Sequence, residues 1–255
     1  MAEVSDQIEA VTAALRLVLG DAVLAVYLHG SGAGGRLQAQ SDLDFLAIVD
    51  RDVTNSQRRA LLAKLLGLSG RHPALPGGLR PVELTIFHQS ALPDNPYPQA
   101  AFVYGEWLRD DFAAGAVPEP VDDPDHVLIL AQARQGAVAL SGPDPRGLLP
   151  AFPHHRIRQA TRDALPALLG GLHGDERNVL LTLARMWHTA STGRFSAKDA
   201  AATWAMPRLN ADDATLLDHA RRAYLGEVPD DWQGRKAEVQ HLAKVLQDHI
   251  ATALN

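Results

Sequence analysis

Residues 30–44 read Gly-Ser-Gly-Ala-Gly-Gly-Arg-Leu-Gln-Ala-Gln-Ser-Asp-Leu-Asp, and the fold is decided by how this stretch is understood. An apolar run over 22–28 precedes it and another over 45–49 follows, so a Gly-rich turn joins two expected strands. Successive side chains of a strand point to opposite faces, so Asp42 and Asp44 project together while Leu43 turns away between them. Two converging carboxylates suit a hard cation such as Mg²⁺, which takes oxygen ligands and is usually held by one or two carboxylates plus substrate phosphates. The glycines of 30–35 let backbone N–H groups approach phosphate oxygens, and Ser31 adds a hydroxyl. Taken alone, a Gly-rich turn beside two acids is also ordinary turn chemistry.

Upstream, Val4, Ile8, Val11, Leu15 and Leu19 recur at three- and four-residue spacing and predict an amphipathic helix ending near Gly20. Downstream, the second strand is expected over 41–49, followed by a helix capped at Asn55 and running to about Ser69. Pro73, Pro76, Gly77 and Gly78 break the chain. The next strand, over 81–88, alternates Glu83, Thr85 and Phe87 on one face with Val82, Leu84 and Ile86 on the other, making Glu83 a candidate third acid. Residues 90–120, with Tyr97, Phe102, Tyr104, Trp107 and Phe112, read as a short helix and a loop roofing a pocket. A helical pattern covers 123–140 and ends at Ser-Gly-Pro-Asp-Pro, residues 141–145. That punctuation divides an N-terminal domain, 1–150, from a C-terminal one, 151–255. In the latter, helical patterns over 156–169, 175–192, 197–204, 212–225 and 232–254 predict a bundle of about five helices. The expected class is α+β: a mixed sheet with helices, followed by an α-helical bundle.

At 255 residues, 46% apolar and 21% charged, the composition is that of a globular protein rather than a disordered one. The 24 Lys and Arg against 30 Asp and Glu leave a net charge of −6, which argues against a broad nucleic-acid surface and suits a cationic partner. No cysteine is present, so neither a disulfide framework nor a thiolate metal site exists. The first 20 residues carry Glu3, Asp6 and Glu9 without a basic leader region, and no apolar run reaches the ~20 residues of a membrane span. A cytoplasmic location with no membrane partner is expected. Of eleven histidines only His154 and His155 are close in sequence and no His-Glu-x-x-His spacing occurs, so zinc is not expected and the histidines are assigned to surface and loops.

Three acids on neighbouring strands beside a Gly-Ser turn suit nucleotidyl transfer. In a two-metal site the ions sit ~3.5–4 Å apart and clamp the attacking and leaving oxygens of an in-line displacement. Asp42 and Asp44 would hold Mg²⁺ against a triphosphate. Glu83 would take the proton of an acceptor hydroxyl or ligate a second metal, and the sequence leaves both roles open.

Gly30-Ser31, nine residues, then Ser41-Asp42-Leu43-Asp44 resembles the signature of the DNA polymerase β nucleotidyltransferase superfamily, whose acids bind Mg-nucleotide. Further blocks narrow the resemblance. Among them are Glu83-Leu-Thr, Gly105-Glu-Trp, Gly174-Asp-Glu-Arg-Asn, Lys198-Asp, Trp204-Ala-Met and Ala223-Tyr-Leu-Gly. Together they resemble the aminoglycoside (3'')(9)-adenylyltransferases, streptomycin and spectinomycin resistance enzymes, in order from about Tyr27 to Gly226. The resemblance implies a polymerase-β-like domain over 1–150 and a helical domain over 151–255 that completes the ATP and drug site. It implies phosphate and metal roles for Ser31, Ser41, Asp42 and Asp44, and a catalytic base at Glu83. Arg185, Lys198 and Tyr224 fall where family members contact ATP; without the family, Arg185 and Lys198 read as solvated helix charges. Asp125 approaches the nucleotide or simply favours a helix N-terminus. Trp107 matches a drug-contacting aromatic or packs in the core, and Asp175 matches an acidic drug contact or a helix cap. Asn178 is an unassigned drug-side candidate, and Glu106 a further acid for the drug. The implied partners are ATP with Mg²⁺ and a polyhydroxylated cationic aminocyclitol or aminoglycoside, bound after ATP by a monomer.

The chain departs from that pattern at two places. Family members that accept streptomycin as well as spectinomycin carry a Trp nine residues, and an Asp four residues, before the acid matched by Asp175; here Pro166 and Gly171 stand there. Spectinomycin 9-adenylylation is therefore expected and streptomycin 3''-adenylylation is expected to be weak or absent, a dual-specificity enzyme being the alternative. His173 is a candidate substitute. Nucleotidyl transfer to another hydroxyl, and a non-catalytic nucleotide-binding or toxin-neutralising module, are the competing readings; Glu83 and the full helical domain speak against the last.

Overall fold

The protein is described by a computed structural model over residues 2–255, apart from 34, 36, 74–76 and 94–95. It divides into two compact units, Met1–Ala151 and Phe152–Asn255.

In the first unit, the spaced apolar residues form α1 (Ala2–Leu19), with Val11 and Leu15 fully buried. Strand β1 (Val23–His29) follows, then a single helical turn, α2 (Gly30–Ala33), and β2 (Leu43–Val49). Helix α3 (Asn55–Leu68) is capped by Thr54 rather than by Asn55. The Thr54 side chain accepts from Gln57 N–H while the Gln57 side chain accepts from Thr54 N–H, a reciprocal pairing that satisfies two otherwise orphaned donors. Strand β3 (Val82–His88) lies beside β2.

Where a short helix and loop were expected over 90–120, the chain forms strand β4 (Gln99–Tyr104), then α4 (Arg109–Ala113) and the two-residue β5 (Val121–Asp122). Ala100, Phe102 and Tyr104 alternate inward and are fully buried, so the period-two signal was present but short. The helix expected over 123–140 is shorter: α5 (Asp125–Gly136) gives way to strand β6 (Val138–Ser141), followed by α6 (Pro145–Leu148). Val138 continues the helical spacing of the preceding apolar residues, which hid an edge strand inside a helix-like pattern.

The sheet among the described residues has six strands in the order β5-β4-β3-β2-β1-β6. Only the β2–β3 pairing is parallel, the crossover between them carrying α3. One face carries Val26, Leu28, Leu43, Phe45, Ala47, Leu84 and Ile86, which form the main core with α1 and α3. On the other face α5 packs against β1, and Phe87 meets His126 of α5 edge to face, 5.1 Å between ring centroids. His126 is thereby buried, with Nδ1 2.8 Å from Pro98 O, in contrast to the surface position expected for the histidines. Gln7 is buried too: its amide donates to Leu68 O and Arg80 O and accepts from Arg80 N–H, tying α1 to the end of α3 and to the segment that enters β3.

The second unit is helical: α7 (His154–Gly170), α8 (Glu176–Thr192), α9 (Lys198–Ala205), α10 (Ala211–Leu225) and α11 (Lys236–Ala253). Helix α8 is central and packs on each of the other four. Its Val179, Leu180, Leu181, Leu183, Ala184, Met186 and Trp187 are buried. Trp187 stacks on His249 of α11 and meets Trp204 of α9 edge to face. No helix among the described residues is long and apolar enough to cross a membrane.

Candidate active site

The parallel register of β2 and β3 sets Asp44 directly beside Glu83, and the antiparallel register of β1 and β2 sets His29 on the other side of Asp44. Residues paired across strands share a face, so His29, Asp44 and Glu83 form one lateral row. All three are half-buried, whereas their neighbours Leu28, Leu43, Phe45, Val82 and Leu84 turn into the core beneath. The row lies at one end of the strands, and further along the same face Leu46, Ile48 and Phe87 are fully buried. The structure thus sets side by side Asp44 and Glu83, two of the acids that the sequence had placed on neighbouring strands.

Gly30 explains how Asp44 reaches its position. Its φ is +61°, and a Cβ there would stand 2.0 Å from Asp44 Oδ2. The carboxylate occupies the room that any side chain would need. Ser31 follows within α2, half-buried, so the expected turn is in part a helical turn; Gly34 and Arg36 of the quoted stretch lie outside the described residues.

The loop returns through Ser41, only 3% exposed, whose Oγ accepts from Gln38 N–H and whose N–H donates to Gln38 O. Arg80 holds this loop from below, Nη1 donating to Gln38 O at 2.8 Å and to Ser41 O at 2.7 Å. Ser41 and Arg80 therefore fix the backbone that presents Asp42. Neither His29 nor Arg80 was singled out in the sequence. The β-pairing that brings His29 to Asp44, and the 39-residue separation of Arg80 from Ser41, have no local signature.

Asp42 Oδ1 is buried, accepts no hydrogen bond among the described residues, and has His72 Nδ1 at 3.8 Å. Leaving a buried acceptor unsatisfied costs about 1–3 kcal/mol, a cost that a bound cation removes. The donor set fits Mg²⁺: Asp42 and Asp44 supply hard oxygen atoms, and Mg²⁺ ordinarily completes its octahedron with phosphate oxygens and water. Among the described residues no group of three or more His, Asp and Glu is gathered to hold a metal ion.

Glu106 is not available to a drug. Its carboxylate, 6% exposed, accepts from Arg109 Nε at 2.6 Å, from Tyr104 Oη at 2.8 Å and from Ser69 Oγ at 2.5 Å. Arg109 goes on to Leu66 O and Ser69 O, while Ser69 Oγ accepts from Val82 N–H at the start of β3. The cluster ties α3, β3, β4 and α4 together. Burial, reinforced by the hydrogen bond to Glu106, pushes the Tyr104 hydroxyl up to about 12, and the same carboxylate raises the Arg109 guanidinium. Trp107, next in sequence, is 63% exposed, so it is not a core residue. Its ring lies over Gly105, where an added Cβ would come within 2.1 Å of it. An exposed indole held against a glycine is suited to stacking on a ligand ring.

In the second unit, Asp175 occupies the N-cap position of α8 but makes no side-chain cap hydrogen bond. Its Oδ2 instead accepts from Asn178 Nδ2 at 2.8 Å, and Asn178 Oδ1 accepts from Lys198 Nζ. The three candidates form one chain, although the sequence had assigned them to different substrates. Arg185 lies two turns along α8 from Asn178. Asn178, Thr182 and Arg185 are the half-exposed stripe of a helix otherwise largely buried over that span. Tyr224 is 7% exposed in the last turn of α10, just before Gly226 in the left-handed conformation. Asp125 begins α5, its N–H donating to Asp123 Oδ1. Pro166 lies inside α7, Gly171 ends that helix, and His173 Nε2 is 3.2 Å from Gln240 Nε2.

Residues 147–249 match the family described as aminoglycoside adenylyltransferase, C-terminal domain. The chain is 42% identical to spectinomycin 9-adenylyltransferase of Staphylococcus aureus over 239 residues, 93% of this chain and 92% of that one. It is 36% identical to the aminoglycoside (3'')(9) adenylyltransferase of Escherichia coli over 256 residues, covering 98% and 96% of the two. A crystal structure of spectinomycin adenyltransferase from Enterococcus faecialis, with ATP and spectinomycin, superposes with a TM-score of 0.92 at 31% identity, covering 97% of this chain and 99% of that one.

Proposed function

The chain belongs to the aminoglycoside adenylyltransferase family, and on that premise we propose that it transfers AMP from Mg-bound ATP to the 9-hydroxyl of spectinomycin, releasing pyrophosphate. The observation that carries this reading is the pairing of Asp44 with Glu83 in one half-buried row.

Asp42 and Asp44 would hold Mg²⁺, which when bound offsets the phosphate charge and orients the triphosphate for in-line attack. Glu83, one strand over, is the base: its carboxylate accepts the proton of the acceptor hydroxyl as that oxygen bonds to the α-phosphorus. The bond from the α-phosphorus to the bridging oxygen breaks, and pyrophosphate leaves with its electron pair. Ser31 and the N–H groups of α2 face the phosphates, and Ser41 acts by holding the Asp42 backbone. Arg185, Lys198, Tyr224 and Asp125 contact the nucleotide. Trp107 stacks on the drug, and Asp175 attracts its cationic amines.

Streptomycin is a poor acceptor in this reading because Pro166 and Gly171 supply neither a stacking ring nor a carboxylate. A dual-specificity enzyme is the second reading, supported by the (3'')(9) relative. Pyrophosphate release with Mg-ATP and spectinomycin, streptomycin or kanamycin separates them. The proposal expects turnover with spectinomycin alone, and equal turnover of streptomycin establishes dual specificity. No turnover with any of the three drugs overturns the proposed activity.

A further inference from the structure

Asn178 touches both Asp175 and Lys198, and its orientation follows from their charges. A carboxylate only accepts and an ammonium only donates, so the Nδ2 end must face Asp175 and the Oδ1 end Lys198, as they do. Flipping the amide would set donor against donor and acceptor against acceptor. Both contacts are charge-assisted, which makes them stronger than neutral hydrogen bonds. The Asn178 amide is thus already engaged at both ends within the protein, which a simple drug contact would not require.

We infer that Asn178 is a positioning residue that couples nucleotide binding to drug binding. This inference rests on the functional reading above, in which Lys198 meets the triphosphate and Asp175 the cationic drug. Through the polarised amide, Lys198 partly satisfies Asp175. A triphosphate that engages Lys198 withdraws this cation's influence from the amide, and Asp175 turns its full negative charge to the drug. The drug, by occupying Asp175, loosens the amide's hold on Lys198 and favours the triphosphate. Linkage requires the two effects to be equal in magnitude.

The test is calorimetric titration of wild type, Asn178→Ala and Asn178→Asp with spectinomycin, with and without a non-hydrolysable Mg-ATP analogue, and the reverse titration. Wild type should bind spectinomycin at least tenfold more tightly with the analogue present, and the analogue more tightly by the same factor with the drug present. In Asn178→Ala both ratios should fall to within about twofold of unity, while analogue affinity without drug changes little. Asn178→Asp places a second carboxylate beside Asp175 and should likewise lose the coupling. A folded Asn178→Ala that keeps the wild-type ratio overturns the inference. So does a drug affinity reduced by one common factor with and without analogue, which marks a direct drug contact. Wild type that turns over spectinomycin yet binds it equally in both conditions overturns the coupling and leaves the activity standing; wild type that does not bind spectinomycin at all overturns both.

Discussion

Asp44 and Glu83 are direct partners in the parallel pairing of β2 with β3, one carboxylate at the start of β2 and the other at the start of β3. Carboxylates placed side by side repel unless a counter-charge or a proton stands between them. In the proposed reaction a metal-bound nucleotide and an acceptor hydroxyl would supply these.

Gly30→Ala tests how tightly the loop defines Asp44. The φ of +61° costs a non-glycine residue about 1–2 kcal/mol, and the new Cβ would stand 2.0 Å from Asp44 Oδ2. Thermal melts should show a modest loss of stability, while pyrophosphate release should fall by about 100-fold or more, the order expected for misplacing a reacting group. A variant of nearly full activity would mean that the Asp44 position is not needed for turnover.

Glu106→Ala separates scaffold from drug site. Breaking a buried ion pair by removing one partner costs about 3–5 kcal/mol. Urea unfolding should therefore show a large loss of stability, with the spectinomycin KM of the folded fraction unchanged. A raised KM at wild-type stability would return Glu106 to the drug site.

Tyr27 and Tyr104 should titrate late. Burial, with Asp144 nearby, pushes the Tyr27 hydroxyl up to about 12, and burial with the Glu106 hydrogen bond does the same for Tyr104, from an ordinary value of 10. The folded state thus keeps these protons where the unfolded chain has released them. Their contribution to stability is fully present below pH 10 and is lost as pH rises from 10 to about 12. Phenolate absorbance followed against pH in native buffer and in urea checks this. Tyr27→Phe and Tyr104→Phe should each remove one late-titrating group.

Gly171→Asp tests the proposed drug preference. The backbone there has φ −86°, and a Cβ would meet only Leu168 O at 3.6 Å, so a carboxylate fits without strain. One charge-assisted hydrogen bond is worth ~1.5–3 kcal/mol, or about 10- to 150-fold in kcat/KM. Streptomycin turnover should rise by that order while spectinomycin turnover changes little. An unchanged streptomycin rate would place the determinant elsewhere.

Much of the first unit was legible because its signals are local. The alternation of 81–88 placed Glu83 on the face opposite the core residues Val82, Leu84 and Ile86, and the long helices of the second unit follow their apolar spacing. Strand β4 was missed because its six residues follow closely on Pro96 and Pro98, and β6 because Val138 also fits a helix. The networks were hidden for a different reason. Asn178 lies three residues from Asp175, a spacing any helix suggests, but Lys198 joins them from another helix. Glu106 read as a further acid for the drug because nothing in its neighbourhood reveals that Ser69 and the end of α3 fold back over it.

The most direct test of the central claim compares wild type with Glu83→Gln in spectinomycin-dependent pyrophosphate release under saturating Mg-ATP. The substitution keeps the shape of the side chain and removes its basicity, and general-base catalysis is typically worth about 100- to 10,000-fold. Wild type should release pyrophosphate only when spectinomycin is present, and Glu83→Gln should lose kcat by that order while melting at the wild-type temperature and binding the drug normally. Equal turnover by the two proteins would contradict the account.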